Sequence, residues 1–154
     1  MPFKLSMPFD YAGASRVDAY RSSAQTLTRL AYTTVIFNAE EYDNLGEYNT
    51  TTGEFSPNNS GYYYVSARIA SANVAWISSQ VWASYLFIDA TRVQVGNRTL
   101  CWVTRNAILD STVHGVIYLT SEQALTVQVY HDNAANVATF ADRDYCNMQI
   151  HRAS

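Results

Sequence analysis

Charge is scarce in this chain. Asp, Glu, Lys and Arg make up 15% of its 154 residues, against roughly 25% in an average soluble domain. A surface so poor in charge often has part of itself covered by another subunit. The 10 Lys and Arg are scattered and the formal net charge is −3, so binding to a phosphate backbone is not expected. No stretch approaches the roughly 20 apolar residues of a membrane span, so membrane insertion is not expected. The opening MPFKLSMPFDYAGA has no continuous apolar run of signal-peptide length, so no export signal is expected there. Cysteine is nearly absent: Cys101 and Cys146 lie far apart and form no CxxC. They read first as unpaired, partly buried thiols. A single disulfide stays open, because sequence does not give the Cα separation it needs.

Catalytic signatures are missing too. There is no GxSxG, HExxH, P-loop or GxGxxG, and no enzyme activity is expected. Ser111 and His114 lie near Asp110, but a strand start would point them in different directions, so turn plus strand is preferred over a triad. No segment has helical periodicity.

What is present is β-structure. Runs of Val, Ile, Thr, Tyr and Phe are broken by Gly, Asn, Asp, Ser and Pro, which indicates an all-β sandwich or barrel. The length suits one domain able to bury its own core. We expect an irregular N-terminal arm, Met1 to Ser15, followed by a domain over residues 16–154. The expected strands are Val17 to Ala24, Tyr32 to Phe37, Glu54 to Ser56, Gly61 to Ala70 and Val81 to Asp89. Arg92 to Val95, Thr99 to Thr104, Thr112 to Leu119, Leu125 to His131 and Tyr145 to Arg152 follow.

Two strands alternate cleanly. Leu125, Val127 and Val129 alternate with Thr126 and Gln128, and Cys146, Met148 and Ile150 with Asn147, Gln149 and His151. Each needs one covered face and one polar face, as in a sandwich. Others are apolar on both faces. GYYYVSARI sets Tyr63, Val65 and Ile69 against Tyr62, Tyr64 and Arg68; TVHGVIYL sets Val113, Ile117 and Leu119 against Val116 and Tyr118. VWASYLFI is also two-sided. A two-layer sandwich covers only one face of each sheet, so a second apolar face needs a loop, an arm or another subunit.

The stretch FNAEEYDNLGEYNTTTGEFSPNNSGYYYVSARI resembles the first half of the globular C1q domain, of the C1q and tumour-necrosis-factor superfamily. The pattern is carried by Phe37-Asn38, Tyr42, Gly46, Tyr48, Gly53, Phe55, Pro57, Gly61, Tyr63 and Tyr64. VHGVIYLTSEQALTVQVYHD is similar to the family's paired strands, and NMQIHRAS resembles the terminal strand of its microbial and phage members. The likeness spans Val17 to Ser154. Pro57 lies four residues before Gly61, where many members have Pro-Gly together, and no collagen-like G-X-Y stem is present, so roles that use the stem are not carried over.

The resemblance implies a ten-stranded jelly roll that assembles as a compact homotrimer. It implies a non-enzymatic recognition or capping module on a virion, fibre tip or microbial surface, binding a receptor or glycan. The alternative is a structural virion decoration or coat component with no ligand of its own. An extracellular or virion-surface location goes with either.

For Tyr62, Tyr64 and Arg68 an inter-subunit seam is preferred, extended by Val116 and Tyr118. Intrachain packing under a loop or the arm, and an open stacking platform for sugar or base, are the alternatives. No cofactor is required, but Asp132, Asp142 and Asp144 are candidate calcium ligands in a polar loop pair; solvated turns are the simpler reading. His114 reads as a hydrogen-bonded structural histidine, with a metal on a three-fold axis as the sharper option. The triplets at Asn49, Asn58 and Asn97 are glycosylation sequons in form.

Overall fold

A computed structural model describes residues 14–153. The expected N-terminal arm lies outside these residues, apart from Ala14 and Ser15. Among the described residues there are fourteen strands: β1 (Arg16–Tyr20), β2 (Thr26–Leu27), β3 (Thr33–Thr34), β4 (Ala39–Asp43), β5 (Glu54–Phe55), β6 (Gly61–Ala70) and β7 (Val74–Trp76), then β8 (Val81–Ile88), β9 (Thr91–Leu100), β10 (Arg105–Ala107), β11 (Asp110–Leu119), β12 (Leu125–His131), β13 (Val137–Ala138) and β14 (Cys146–Arg152). Ten of them form two five-stranded antiparallel sheets. The first has the order β11-β6-β14-β1-β4; the second runs β3-β12-β8-β9, with β5 also pairing β12. Two small pairs, β10-β7 and β13-β2, complete the set. The all-β sandwich expected from sequence is what forms.

Alternation builds the core. From the first sheet Val17, Ala19, Tyr63, Val65, Ile69, Val113, Met148 and Ile150 point inward. From the second come Trp82, Leu86, Leu125, Val127 and Val129. Phe55 and Tyr63 meet near the middle, ring centroids 5.4 Å apart, and the Tyr63 hydroxyl donates to Asn59 O at 2.6 Å. Gly53, with φ of 78°, supports the turn before β5.

Three expectations are corrected. Arg92–Val95 and Thr99–Thr104 are not two strands, because β9 runs unbroken from Thr91 to Leu100 and Cys101 to Thr104 form a loop. Gly96 marks a close approach, not a turn: a Cβ there would lie 2.3 Å from Thr112 O and 2.6 Å from Ser84 Oγ. The expected strand Tyr32–Phe37 shrinks to β3. Beyond it the Gln25 side chain acts as a substitute neighbour, donating to Thr34 O at 2.8 Å and accepting from Ile36 N at 2.9 Å. Finally, β4 has the sequence AEEYD, whose acids hid it in a loop reading.

The second sheet also resolves the two-sided VWASYLFI. Its outward Ala83, Tyr85 and Phe87 are buried, with Tyr130 packed against them. Tyr32 covers them, its ring 5.1 Å from Tyr85, 5.4 Å from Phe87 and 5.5 Å from Tyr130. Over β8 and β12 that outer face is therefore covered from within the chain, while β9 at its edge leaves Val95 exposed.

Candidate functional site

Among the described residues the outward face of the first sheet has no such cover. Register fixes its layout. On β6, Tyr62, Tyr64, Ser66 and Arg68 face out; they pair with Tyr118, Val116, His114 and Thr112 of β11. On the other flank Tyr64, Ser66 and Arg68 pair with His151, Gln149 and Asn147 of β14. Those residues pair in turn with Arg16, Asp18 and Tyr20 of β1.

The face divides along the strands. One end is aromatic. Tyr62 and Tyr118 meet edge to face at 5.1 Å, Tyr64 lies 4.9 Å from the His151 ring, and Arg16 sits over the Tyr42 ring at 5.1 Å. Tyr62, Val116 and Tyr118 are 50%, 60% and 51% exposed, and Tyr64 is half-buried. A shallow pocket of about 300 Å³ opens at the rim of this end, lined by Ala14, Ser15, Arg16, His151 and Arg152. The other end is ionic. Arg68 pairs with Asp110 at 2.9 Å and donates to Asp144 O at 3.0 Å. Arg143 bridges the buried Asp18 at 3.2 Å and the exposed Glu41 at 2.8 Å. The arrangement offers an apolar contact surface with an ionic margin.

The remaining candidates are placed as follows. Ser111 points into the core, 2.6 Å from Ser84 Oγ and donating to Asn97 O at 2.6 Å, while His114 is exposed on the opposite face. Asp110 is engaged by Arg68, so the three do not form a triad. The structure does not bring Asp132, Asp142 and Asp144 together. Asp132 accepts from Val81 N at 2.6 Å and Asp142 from Asp144 N at 2.7 Å. Among the described residues no three His, Cys, Asp or Glu gather to hold a metal ion. Both cysteines are free and buried, which settles the disulfide alternative. Asn97 is committed to the fold: its Oδ1 accepts from the Thr112 backbone N–H. Asn49 Oδ1 accepts from Thr51 N at 2.8 Å, which shapes its own turn.

Sequence reasoning did not single out Ile77, Trp102 or Val103, all strongly exposed apolar residues at the end of the sandwich opposite Tyr62. The signal was available in CWVT, but that stretch had been read as strand, where one large apolar face needs no comment.

Comparison with solved structures identifies the architecture. The globular domain of zebrafish complement 1qA protein superposes with a TM-score of 0.65 at 14% identity, covering 92% of this chain and 98% of that one. Murine APRIL superposes with a TM-score of 0.62 at 12% identity, over 90% of this chain and 98% of that one. The Eiger TNF of S. frugiperda does so at 0.61 with 11% identity, over 92% of each. No protein-family model and no curated protein sequence matches the chain. At these identities the likeness shows the fold, and the fold is the C1q/TNF jelly roll.

Proposed function

We propose that the chain is a non-enzymatic, homotrimeric recognition or capping module whose seam is the uncovered face of the first sheet. One contrast carries this reading. Both sheets have an apolar outer face; Tyr32 covers the β8 part of the second, and the first leaves Tyr62, Val116 and Tyr118 at least half exposed. Seating these three against a neighbour is favourable by about 1 kcal/mol each. Tyr64 lies at the centre of the seam, between Val116 and His151, and Arg68 at its ionic margin.

A ring of three uses a heterologous contact, so the face needs a second, different patch to meet. We assign that patch to β9, which is exposed along most of its length and carries Val93 and Val95 in the open. The module would sit outside the cell or on a virion surface and use its loops to bind a receptor or glycan. The C1q/TNF fold and the resemblance to microbial and phage members support this placement.

The test is light scattering at micromolar concentration. The parent chain is expected at three times the subunit mass, and Tyr64→Asp at the subunit mass with its β-sheet signal intact. A parent that is monomeric with intact sheet would sink the reading.

A further inference from the structure

The end of the sandwich far from Tyr62 carries a second apolar surface. Leu30, Ile77, Trp102 and Val103 are each more than half exposed there, Trp102 at 82%. The loops bearing them are stitched into one rim. Leu30 N donates to His131 O at 2.8 Å, and the next residue, Asp132, accepts from Val81 N and Gln80 Nε2 at 2.6 and 3.0 Å. Cys101 N donates to Gln80 O at 2.9 Å and Ser79 N to Cys101 O at 2.7 Å. Ser78 Oγ donates to Trp102 O at 3.0 Å, and Ser78 N to Thr104 Oγ1 at 3.2 Å.

Backbone strain is concentrated here. Leu30 and Ser79 have φ of 56° and 76°, a left-handed conformation that is costly for side-chain-bearing residues. An exposed leucine held in that conformation gains nothing for the core. The rim is rigid, apolar and turned outward, which is expensive unless something meets it.

Charge indicates what that is. Arg29, Arg98 and Arg105 are exposed on or beside the rim and make no ion pair among the described residues. Between residues 71 and 109 the sequence has three arginines, Arg92, Arg98 and Arg105, and one acid, Asp89, of which Arg92 lies with Asp89 away from the rim. Asp89 lies at the opposite end, its N donating to Ala124 O at 2.8 Å. The rim's own carboxylate, Asp132, is occupied by Val81 N. At the rim itself Arg29, Arg98 and Arg105 outnumber Asp132, while Asp110 and Asp144 lie with Arg68 on the first-sheet side of the same end; the second-sheet side of the rim is therefore the cationic one.

We propose that this rim is a docking surface for an anionic lipid bilayer. Trp102, Ile77 and Val103 enter the headgroup region, where an amphipathic indole is well placed, and the arginines meet lipid phosphates and carboxylates. No membrane span is involved. A sugar fits less well, because the rim's outward groups are mainly apolar and its hydroxyls Ser78 Oγ and Thr104 Oγ1 are held by Trp102 O and Ser78 N. A flat partner also suits the assembly: three-fold symmetry sets equivalent rims in one plane, so three weak contacts act together. That avidity rests on the trimeric reading; the contact of one subunit does not.

The protein carries its own probe. Trp76 and Trp82 are fully buried, so a change in tryptophan emission on binding reports Trp102. Vesicles of phosphatidylcholine mixed with phosphatidylserine are titrated in low salt, with co-sedimentation in parallel. A blue shift and co-sedimentation are expected, both abolished by Trp102→Ala, with affinity reduced about fivefold by Arg105→Ala and falling with added salt. Pure phosphatidylcholine should bind far less. Thermal melts of both variants confirm folding. The proposal is overturned if the parent ignores anionic vesicles, if Trp102→Ala binds them equally, or if Trp102 is needed only for a glycan or soluble protein. Light scattering in the same buffer separates the two readings: a monomer that still shifts on vesicles removes the trimer and leaves the docking surface standing.

Discussion

His131 is closed off from water, and only one of its two ring nitrogens finds a partner. Nε2 donates to Leu27 O at 3.2 Å, and Nδ1 has none. The ring stacks on Trp82 at 5.8 Å and meets the edge of Trp76 at 6.4 Å. Burial pushes its pKa down; the Leu27 carbonyl and Asp132 oppose this, and Arg29 adds to it. A lowered folded pKa means that the unfolded chain takes up the proton first. The stabilisation is complete above about pH 6.5 and is lost as pH falls from there through the folded value. Denaturant midpoints should therefore drop between about pH 7.5 and pH 5, and His131→Phe, which keeps the stack, should flatten part of that slope. An unchanged slope in the variant would place the titration elsewhere. Burial likewise pushes the Cys146 thiol up to about 11. With Cys101 also buried, neither thiol should react with a disulfide reagent until the chain unfolds. Fast labelling of the native protein would contradict this.

At the scale of elements, β9 and β11 belong to different sheets yet run against each other. Gly96 lets their backbones touch, the Asn97 side chain accepts from Thr112 N, and Thr99 donates to Asp110 O. Gly96→Ala should cost about 3 kcal/mol, read as a lowered denaturant midpoint; an unaffected midpoint would mean that the seam gives way easily. This is where sequence reading succeeds and fails for identifiable reasons. β6, β12 and β14 were legible because alternation follows from one covered face. The break placed between Val95 and Thr99 was wrong because a glycine needed for close approach, Gly96, has the look of one that ends a strand. The strand at Tyr32 was overdrawn because no pattern reveals that Gln25 will take the place of a neighbouring strand. The two-sided strands announced that covers were needed. Only the structure showed that Tyr32 covers one face and that nothing among the described residues covers the other.

At the scale of the whole molecule, the proposed assembly couples stability to concentration. If the trimer is the folded state, dilution favours the unfolded chain by mass action. The parent's melting temperature should rise with protein concentration, and that of Tyr64→Asp should not. Val95→Glu, on the opposing patch assigned to β9, should lower the subunit association in the same way without touching the aromatic face. A concentration-independent melt for the parent would count against an obligate trimer.

One further feature bears on the life of a subunit before it finds partners. Among the described residues the outer edge of the first sheet is β4, with Glu40 and Glu41 exposed and a register shift against β1 between Asp18 and Ala19. Like charges and a local kink along an open edge are a poor template for another strand. Newly made chains can therefore accumulate in crowded surroundings with little tendency to polymerise into fibrils through that edge. Slow encounter with partners then delays assembly without diverting it into aggregate.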